Sequence, residues 1–329
     1  MNTWHSLDVP RTELRLNTTL KCGQSFRWRT TGENEWSGVL RDRIITLQQS
    51  DHDVLFKADE GSVGATREIL KDYFQLEVNL EALYAKWNQD QNFKKKSGEF
   101  AGIRILRQDP LENLFAFICS SNNSISRITM MVNKMSERWG TYIGTVEGDS
   151  QPYYSFPTLS RLAEDGVESE LRNLGFGYRA KYIAQTAKYI LQNHDEKWLE
   201  SLRYVEYAQC REELMKLSGV GPKVADCVCL MSLDKHESIP VDTHVWQIAK
   251  RDYKISGLAA AKSMTPKNYL AIGDFFREIF GDYAGWAHSV IFTADLRQFG
   301  EKSRQPSLKR RLLGLSRKKQ ALSRKRGLR

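Results

Sequence analysis

Residues 217–231 read LSGVGPKVADCVCLM and place an amine at the mouth of an apolar helix. Lys223 follows a Gly-Val-Gly-Pro turn, and Pro222 suits a first helical position because its missing N–H would be unpaired there anyway. A helix N-terminus carries positive partial charge, so an ammonium is misplaced there and an amine sheds its proton more easily. Helical spacing puts Cys227 one turn after Lys223, while Val224, Val228 and Met231 fall on the adjoining core-facing stripe. The amine therefore stands between core and solvent, beside a thiol. A second segment, IPVDTHVWQIAKRDY, sets Asp242 where it can cap another helix, with Thr243 and His244 in that helix's first turn. An amine with a carboxylate at hand can attack an electrophilic carbon, the carboxylate stabilising positive charge and handling protons. Each residue also has a plain reading: a solvated lysine, a small buried thiol, a structural cap.

The turn itself offers a second chemistry. Gly219 and Gly221 permit unusual backbone dihedrals and close approach of a ligand. The N–H groups of Gly219, Val220 and Gly221 are then expected to form a phosphate cradle, unless the turn only packs two helices together. Backbone donors matter because of where the charge lies. The chain carries +9, but residues 301–329 hold 12 Lys and Arg against one Glu, so the first 300 residues balance at −2. A body of that charge binds nucleic acid through a local patch and amides, not through a general positive field.

Other classes of function are poorly supported. The five cysteines, Cys22, Cys119, Cys210, Cys227 and Cys229, are odd in number and scattered, which argues for reduced thiols and against a disulfide frame. None has zinc-ligand spacing, so no metal and no cofactor is expected. There is no long apolar run, no secretory pattern in MNTWHSLDVPRTELRL and no sustained heptad; no membrane partner is expected, and a monomer is the default.

The elements that must position these groups divide the chain into an α+β arrangement. Over residues 1–98, SFRWRT, EWSGVL, IITLQQ and DVLFKA predict an antiparallel meander, followed by helices in TREILKDYFQ and NLEALYAKWNQ. Residues 99–299 read as helical: two helices in DPLENLFAFICSSNNSISRITMMVNKMSERWG, broken at SSNNS, a loop at GDSQPYYSFPT, and helices onward to YAGWAHSVIFTADLRQFG. Residues 300–329 form a basic tail, expected to be disordered, with the clusters KRR, RKK and RKR. They suit nuclear import and added salt-dependent DNA affinity. A mitochondrial form stays open.

LSGVGPKVADCVCLM followed by VDTHVW resembles the helix-hairpin-helix glycosylase superfamily. GQSFRWR, LRQDPLENLFAFICSSNNSISRIT, LGFGYRAKYI and YAGWAHSVIFTADLRQF narrow the resemblance to the eukaryotic 8-oxoguanine DNA glycosylases, in the right order from about residue 20 to 299. The resemblance implies an N-terminal antiparallel sheet domain followed by an all-helical glycosylase domain. It implies a glycosylase with β-elimination lyase activity that flips a damaged base out of duplex DNA. Its substrate would be 8-oxoguanine, and ring-opened formamidopyrimidine, opposite cytosine. Lys223 would be the nucleophile that becomes a Schiff base, and Asp242 would stabilise the oxocarbenium-like sugar. Gly23 would offer its carbonyl to the N7–H that distinguishes 8-oxoguanine from guanine. Phe292 and Cys227 would stack on the two faces of the base, with a Lys223 ammonium–Cys227 thiolate pair sensing its dipole, and Met231 would line the same wall. Asn122, Arg127 and Arg179 would bind the widowed cytosine, Tyr178 would be the wedge and His244 a phosphate contact. His288 departs from the family pattern, which has glutamine at the position reading the Watson–Crick edge; an imidazole has one donor and one acceptor when neutral.

Two enzyme alternatives fit less well. The endonuclease III and adenine-mismatch enzymes hold an iron–sulfur cluster through four cysteines after the aspartate, and no cysteine follows Cys229. Alkyl-base glycosylases lack the lysine. A non-catalytic helix-hairpin-helix DNA-binding protein would use the turn and the tail, but would need neither Lys223 nor Asp242.

Overall fold

The computed structural model describes residues 3–41, 43–258 and 261–296; the basic tail lies outside them. Five strands form one antiparallel sheet in the order β1-β5-β4-β3-β2: β1 (Thr3–Ser6), β2 (Arg29–Gly32), β3 (Glu35–Leu40), β4 (Arg43–Gln49) and β5 (Val54–Ala58). β2 to β5 are the expected meander. β1 was not foreseen: TWHS is too short to show alternation, and it is held by pairing Trp4 with Lys57 and His5 with Phe56. β5 shows the alternation well, with Val54, Phe56 and Ala58 buried and Leu55 and Lys57 less so. Those inward residues pack with Leu47, Leu70 and Phe74 into one core.

A second correction concerns residues 142–154, part of which was read as loop. They form a hairpin of β6 (Tyr142–Val146) and β7 (Asp149–Tyr154), with register shifts and Pro152 in its second strand. Proline and polar residues hid it, and long-range contacts hold it. Arg29 of β2 pairs with Asp149 at 3.0 Å and lies 3.6 Å over the Tyr153 ring.

The helical part is built on two further cores. One gathers Phe115, Ile118, Met135, Ile183, Leu214, Val224 and Val228. The other gathers Trp87, Phe93, Ile105, Val245, Phe276, Trp286 and Val290, so the helices Leu80–Trp87 and Gln91–Ser97 pack with the last helices of the chain. Each large side chain so buried contributes about 1.5–3 kcal/mol. Helix Pro222–Ser232 lies on the seam: Val224, Cys227 and Val228 belong to the first core, Leu230 to the second, and Met231 packs against both. No helix of the described residues is long and apolar enough to cross a membrane.

Candidate active site

Lys223 is the second residue of helix Pro222–Ser232 and is half-buried. Its Nζ donates to Ser120 Oγ at 3.0 Å and lies 5.0 Å from the centre of the Phe117 ring. Cys227, one turn on, is 2% exposed. Burial pushes its thiol up to about 12, more than Lys223 pulls it down, with Asp226 and Asp242 adding to the rise. Desolvation of a buried charge thus opposes the ammonium–thiolate pair implied by the resemblance, while the neighbouring amine favours it. The same balance shows that Lys223 and Asp242 both lie within electrostatic reach of Cys227.

Asp242 caps helix Thr243–Arg251, its Oδ1 accepting from the Val245 N–H at 2.9 Å. The segment before it is pressed against helix Ala284–Asp295 at Gly285. The Gly285 N–H donates to the His236 carbonyl at 2.8 Å, and a Cβ there would stand 2.4 Å from the Ser238 carbonyl. That close approach sets the helix bearing His288 and Phe292 beside Asp242. Phe292 is half-buried, with its ring 6.2 Å from His288 and edge-on to His244 at 5.8 Å. His244 is exposed, its Nδ1 3.4 Å from Asp295 Oδ2.

His288 is 6% exposed, and neither ring nitrogen has a hydrogen-bond partner among the described residues. Burial lowers it to about 4, with Asp242 opposing. The native ring is thus neutral at pH 7. Because the fold binds this proton less well than the unfolded chain does, stability is full above 6.5 and is lost as pH falls from 6.5 towards 4. That window corresponds to about 3 kcal/mol. Urea midpoints of the parent and His288→Gln between pH 7 and pH 4.5 should therefore diverge, the parent losing stability faster; parallel curves would show that the ring takes up its proton equally well folded and unfolded.

Gly23 reaches the same region from the other end of the chain. Its φ is +89°, and a Cβ would meet Ile125 Cδ1 at 2.9 Å. Its neighbour Gln24 fixes it: Gln24 Nε2 donates to the Arg104 carbonyl at 2.9 Å, and Gln24 Oε1 accepts from the Leu106 N–H at 3.0 Å. Gln108 then ties this run to the lysine helix, donating from Nε2 to the Gln24 carbonyl at 2.7 Å and from its N–H to the Met231 carbonyl at 2.9 Å.

The SSNNS break is a structured loop. Asn122 adopts φ +46°, in the left-handed region. Arg179, buried at the start of helix Arg179–Asn193, donates from Nε to the Ser121 carbonyl at 3.2 Å and from Nη2 to the Ser121 and Asn122 carbonyls. Exposed Tyr178 donates to the Ser121 carbonyl at 3.1 Å, and its ring lies 4.6 Å from the Arg179 guanidinium. Exposed Arg127 donates to the Gly175 carbonyl at 3.3 Å. These four residues thus cluster on one rim, with Ser120 joining the rim to Lys223.

The hairpin turn meets part of its expectation. Gly219 has φ +80° and lies against the Tyr182 ring, where a Cβ would come within 2.6 Å. Gly221 is extended and has nothing within 4 Å of a Cβ, so neither strain nor packing demands glycine there. The Val220 N–H, expected in the cradle, is closed onto the Leu217 carbonyl at 3.2 Å by the turn itself. Among the described residues the Gly219 and Gly221 N–H groups have no backbone acceptor.

Sequence reasoning passed over two residues at this site. Ser120 lay inside a quoted motif, but nothing local shows which serine faces a lysine 103 positions away. Asp226 is completely buried and receives hydrogen bonds from Tyr207, Tyr269, Arg211 and Ser238. Its signal was an acid within an apolar helical run. Among the described residues no cluster of His, Cys, Asp or Glu could hold a metal.

Residues 6–114 match the family model for the 8-oxoguanine DNA glycosylase N-terminal domain, and residues 115–269 that of the HhH-GPD superfamily of base excision DNA repair proteins. The chain is 41% identical over 299 residues to the N-glycosylase/DNA lyase OGG1 of Arabidopsis thaliana, spanning 89% of this chain and 80% of that protein. It is 40% identical over 325 residues to the N-glycosylase/DNA lyase of Saccharomyces cerevisiae, spanning 88% and 85%. Among solved structures, the 8-oxoguanine glycosylase/lyase of Clostridium acetobutylicum superposes with a TM-score of 0.75 at 32% identity, in its complex with dsDNA containing cytosine opposite to 8-oxoG; 89% of this chain and 96% of that one are covered.

Proposed function

Since the chain belongs to the 8-oxoguanine DNA glycosylase family of N-glycosylase/DNA lyases, we propose that it excises 8-oxoguanine, and ring-opened formamidopyrimidine, opposite cytosine in duplex DNA through a Schiff base on Lys223. The observation that carries this reading is the amine at the seam of two cores, one turn from Cys227 and with Asp242 in electrostatic reach of the same thiol. In the reaction, Lys223 Nζ attacks the deoxyribose C1′ and the N-glycosidic electron pair leaves with the base, which takes up a proton. Asp242 stabilises the positive charge that develops on the sugar and accepts a proton from the amine. The amine lone pair then opens the sugar ring by breaking the C1′–O4′ bond, O4′ taking up a proton, and loss of a C2′ proton from the C1′ iminium so formed expels the 3′ phosphate.

The pocket residues divide the work. The Gly23 carbonyl accepts the N7–H of 8-oxoguanine, and Phe292 and the Cys227 thiol take the two faces of the base beside Met231. His288, with both nitrogens unpaired, supplies one donor and one acceptor to the Watson–Crick edge. Asn122, Arg127 and Arg179 bind the widowed cytosine, Tyr178 fills the gap, and His244 with the Gly219 and Gly221 amides holds phosphates. The open space at Gly221 suits close approach of a phosphate oxygen. The protein acts as a monomer, and the basic tail directs it to the nucleus. The test is incubation with a duplex carrying 8-oxoguanine opposite cytosine, with borohydride added. A covalent adduct is expected; tight binding without adduct or base release would leave the non-catalytic binder.

A further inference from the structure

Ser120 is bonded on both sides, and its bonds have a direction. Its hydroxyl hydrogen goes to the Phe117 carbonyl at 2.7 Å. A serine has one such hydrogen, so towards Lys223 Nζ, 3.0 Å away, Ser120 can only accept. An amine that gives one N–H to Ser120 keeps its lone pair for another direction. A free lysine side chain samples many rotamers; here the Phe117 ring beneath it and the hydroxyl beside it hold its end. Phe117 is 3% exposed, so that platform is fixed by the core.

The next two residues belong to the rim. Ser121 and Asn122 present the carbonyls that Arg179 and Tyr178 hold. One short loop therefore carries the acceptor for the nucleophile and the anchors of the groups facing the opposite base.

We propose that Ser120 is a positioning residue for Lys223, aiming the amine at the sugar and joining the nucleophile to the rim that faces the opposite base. This rests on the Schiff-base reading above. The alignment acts on the chemical step and leaves duplex affinity alone, because the half-buried Ser120 hydroxyl is engaged by the Phe117 carbonyl and by Lys223.

The test is single-turnover adduct formation under borohydride by the full-length parent, Ser120→Ala and Ser120→Thr. Two duplexes are used: one with 8-oxoguanine and one with an abasic site, each opposite cytosine. Ser120→Ala should slow trapping on both by about 10–100-fold, since misplacement of a reacting group by about 1 Å costs that much. Its Kd for duplex should match the parent's. Ser120→Thr keeps the hydroxyl and should recover most of the rate. An alanine variant trapping at the parent's rate would overturn the proposal. So would a threonine variant as slow as alanine, which would assign the loss to packing. A parent that yields no adduct on either duplex would overturn the Schiff-base reading itself, and the proposal with it.

Discussion

Lys223→Gln should abolish the borohydride-trapped adduct while leaving duplex affinity within a few-fold of the parent's. Glutamine can still donate to Ser120 Oγ, now 3.0 Å from the amine, and can still cover the Phe117 face. An amide nitrogen cannot attack C1′ or form an iminium, so the covalent route closes completely instead of slowing. Base release should fall as well, because in the proposed reaction the attack on C1′ is the step that expels the base. Affinity should persist because the groups proposed to hold phosphates, the amides at Gly219 and Gly221 and the exposed His244, do not involve this side chain. Trapping and equilibrium binding on the same duplex separate the outcomes. An adduct that survives would place the nucleophile elsewhere, and affinity that collapses would make Lys223 a phosphate anchor.

What could be read from the sequence at this site is what is encoded locally. The Pro222 start, the Asp242 cap and the one-turn spacing of Lys223 and Cys227 are properties of a few consecutive residues, and the structure has each. Asp109 capping a helix begun by Pro110 is another. What escaped depends on distant partners. β1 needs β5, the Tyr142–Tyr154 hairpin needs Arg29, and Ser120 needs a lysine on another helix. The burial that opposes ionisation of Cys227 is not local either: spacing shows that an amine is near, but only the packing sets how deeply the thiol is buried. The two turn glycines also divide. A left-handed φ and the Tyr182 ring explain Gly219, whereas Gly221 meets neither constraint within the protein.

Asp226→Ala should be the most destabilising substitution near the site, lowering unfolding free energy by about 3–5 kcal/mol, the usual cost of stripping one partner from a buried ion pair. The Asp226 side chain is 1% exposed. Its Oδ1 accepts from Tyr207 at 2.7 Å, Arg211 Nε at 3.1 Å and Ser238 Oγ at 3.3 Å, and Oδ2 accepts from the Tyr269 hydroxyl. Burial pushes this carboxyl above its ordinary range, against the pull of Arg211 and the three hydroxyls. The fold thus binds that proton better than the unfolded chain does. On the aspartate's side ionisation costs stability as pH rises above 3.8, whereas Arg211, which burial lowers, is raised by Asp226 and the neighbouring tyrosines and gains from the pair. The value of the network is in geometry. Tyr269, held by Asp226, accepts the Val241 N–H at 3.3 Å, and Ser238 is bonded to the Asp226 carbonyl at 3.0 Å. The helix carrying Lys223 is thereby tied to the segment that ends at Asp242. Removing the carboxylate takes the acceptor from half-buried Arg211 and Tyr207 and from buried Tyr269, and frees that segment. Asp226→Asn keeps an acceptor and should lose less stability. In the folded asparagine protein, adduct formation should still slow, because the tie between amine and carboxylate is loosened. Urea midpoints at pH 7 with trapping rates measured well below the transition test both parts. An alanine variant within about 1 kcal/mol of the parent would mean that the core closes over the gap, and parent-like trapping by Asp226→Asn would mean that the segment holds Asp242 in place without it.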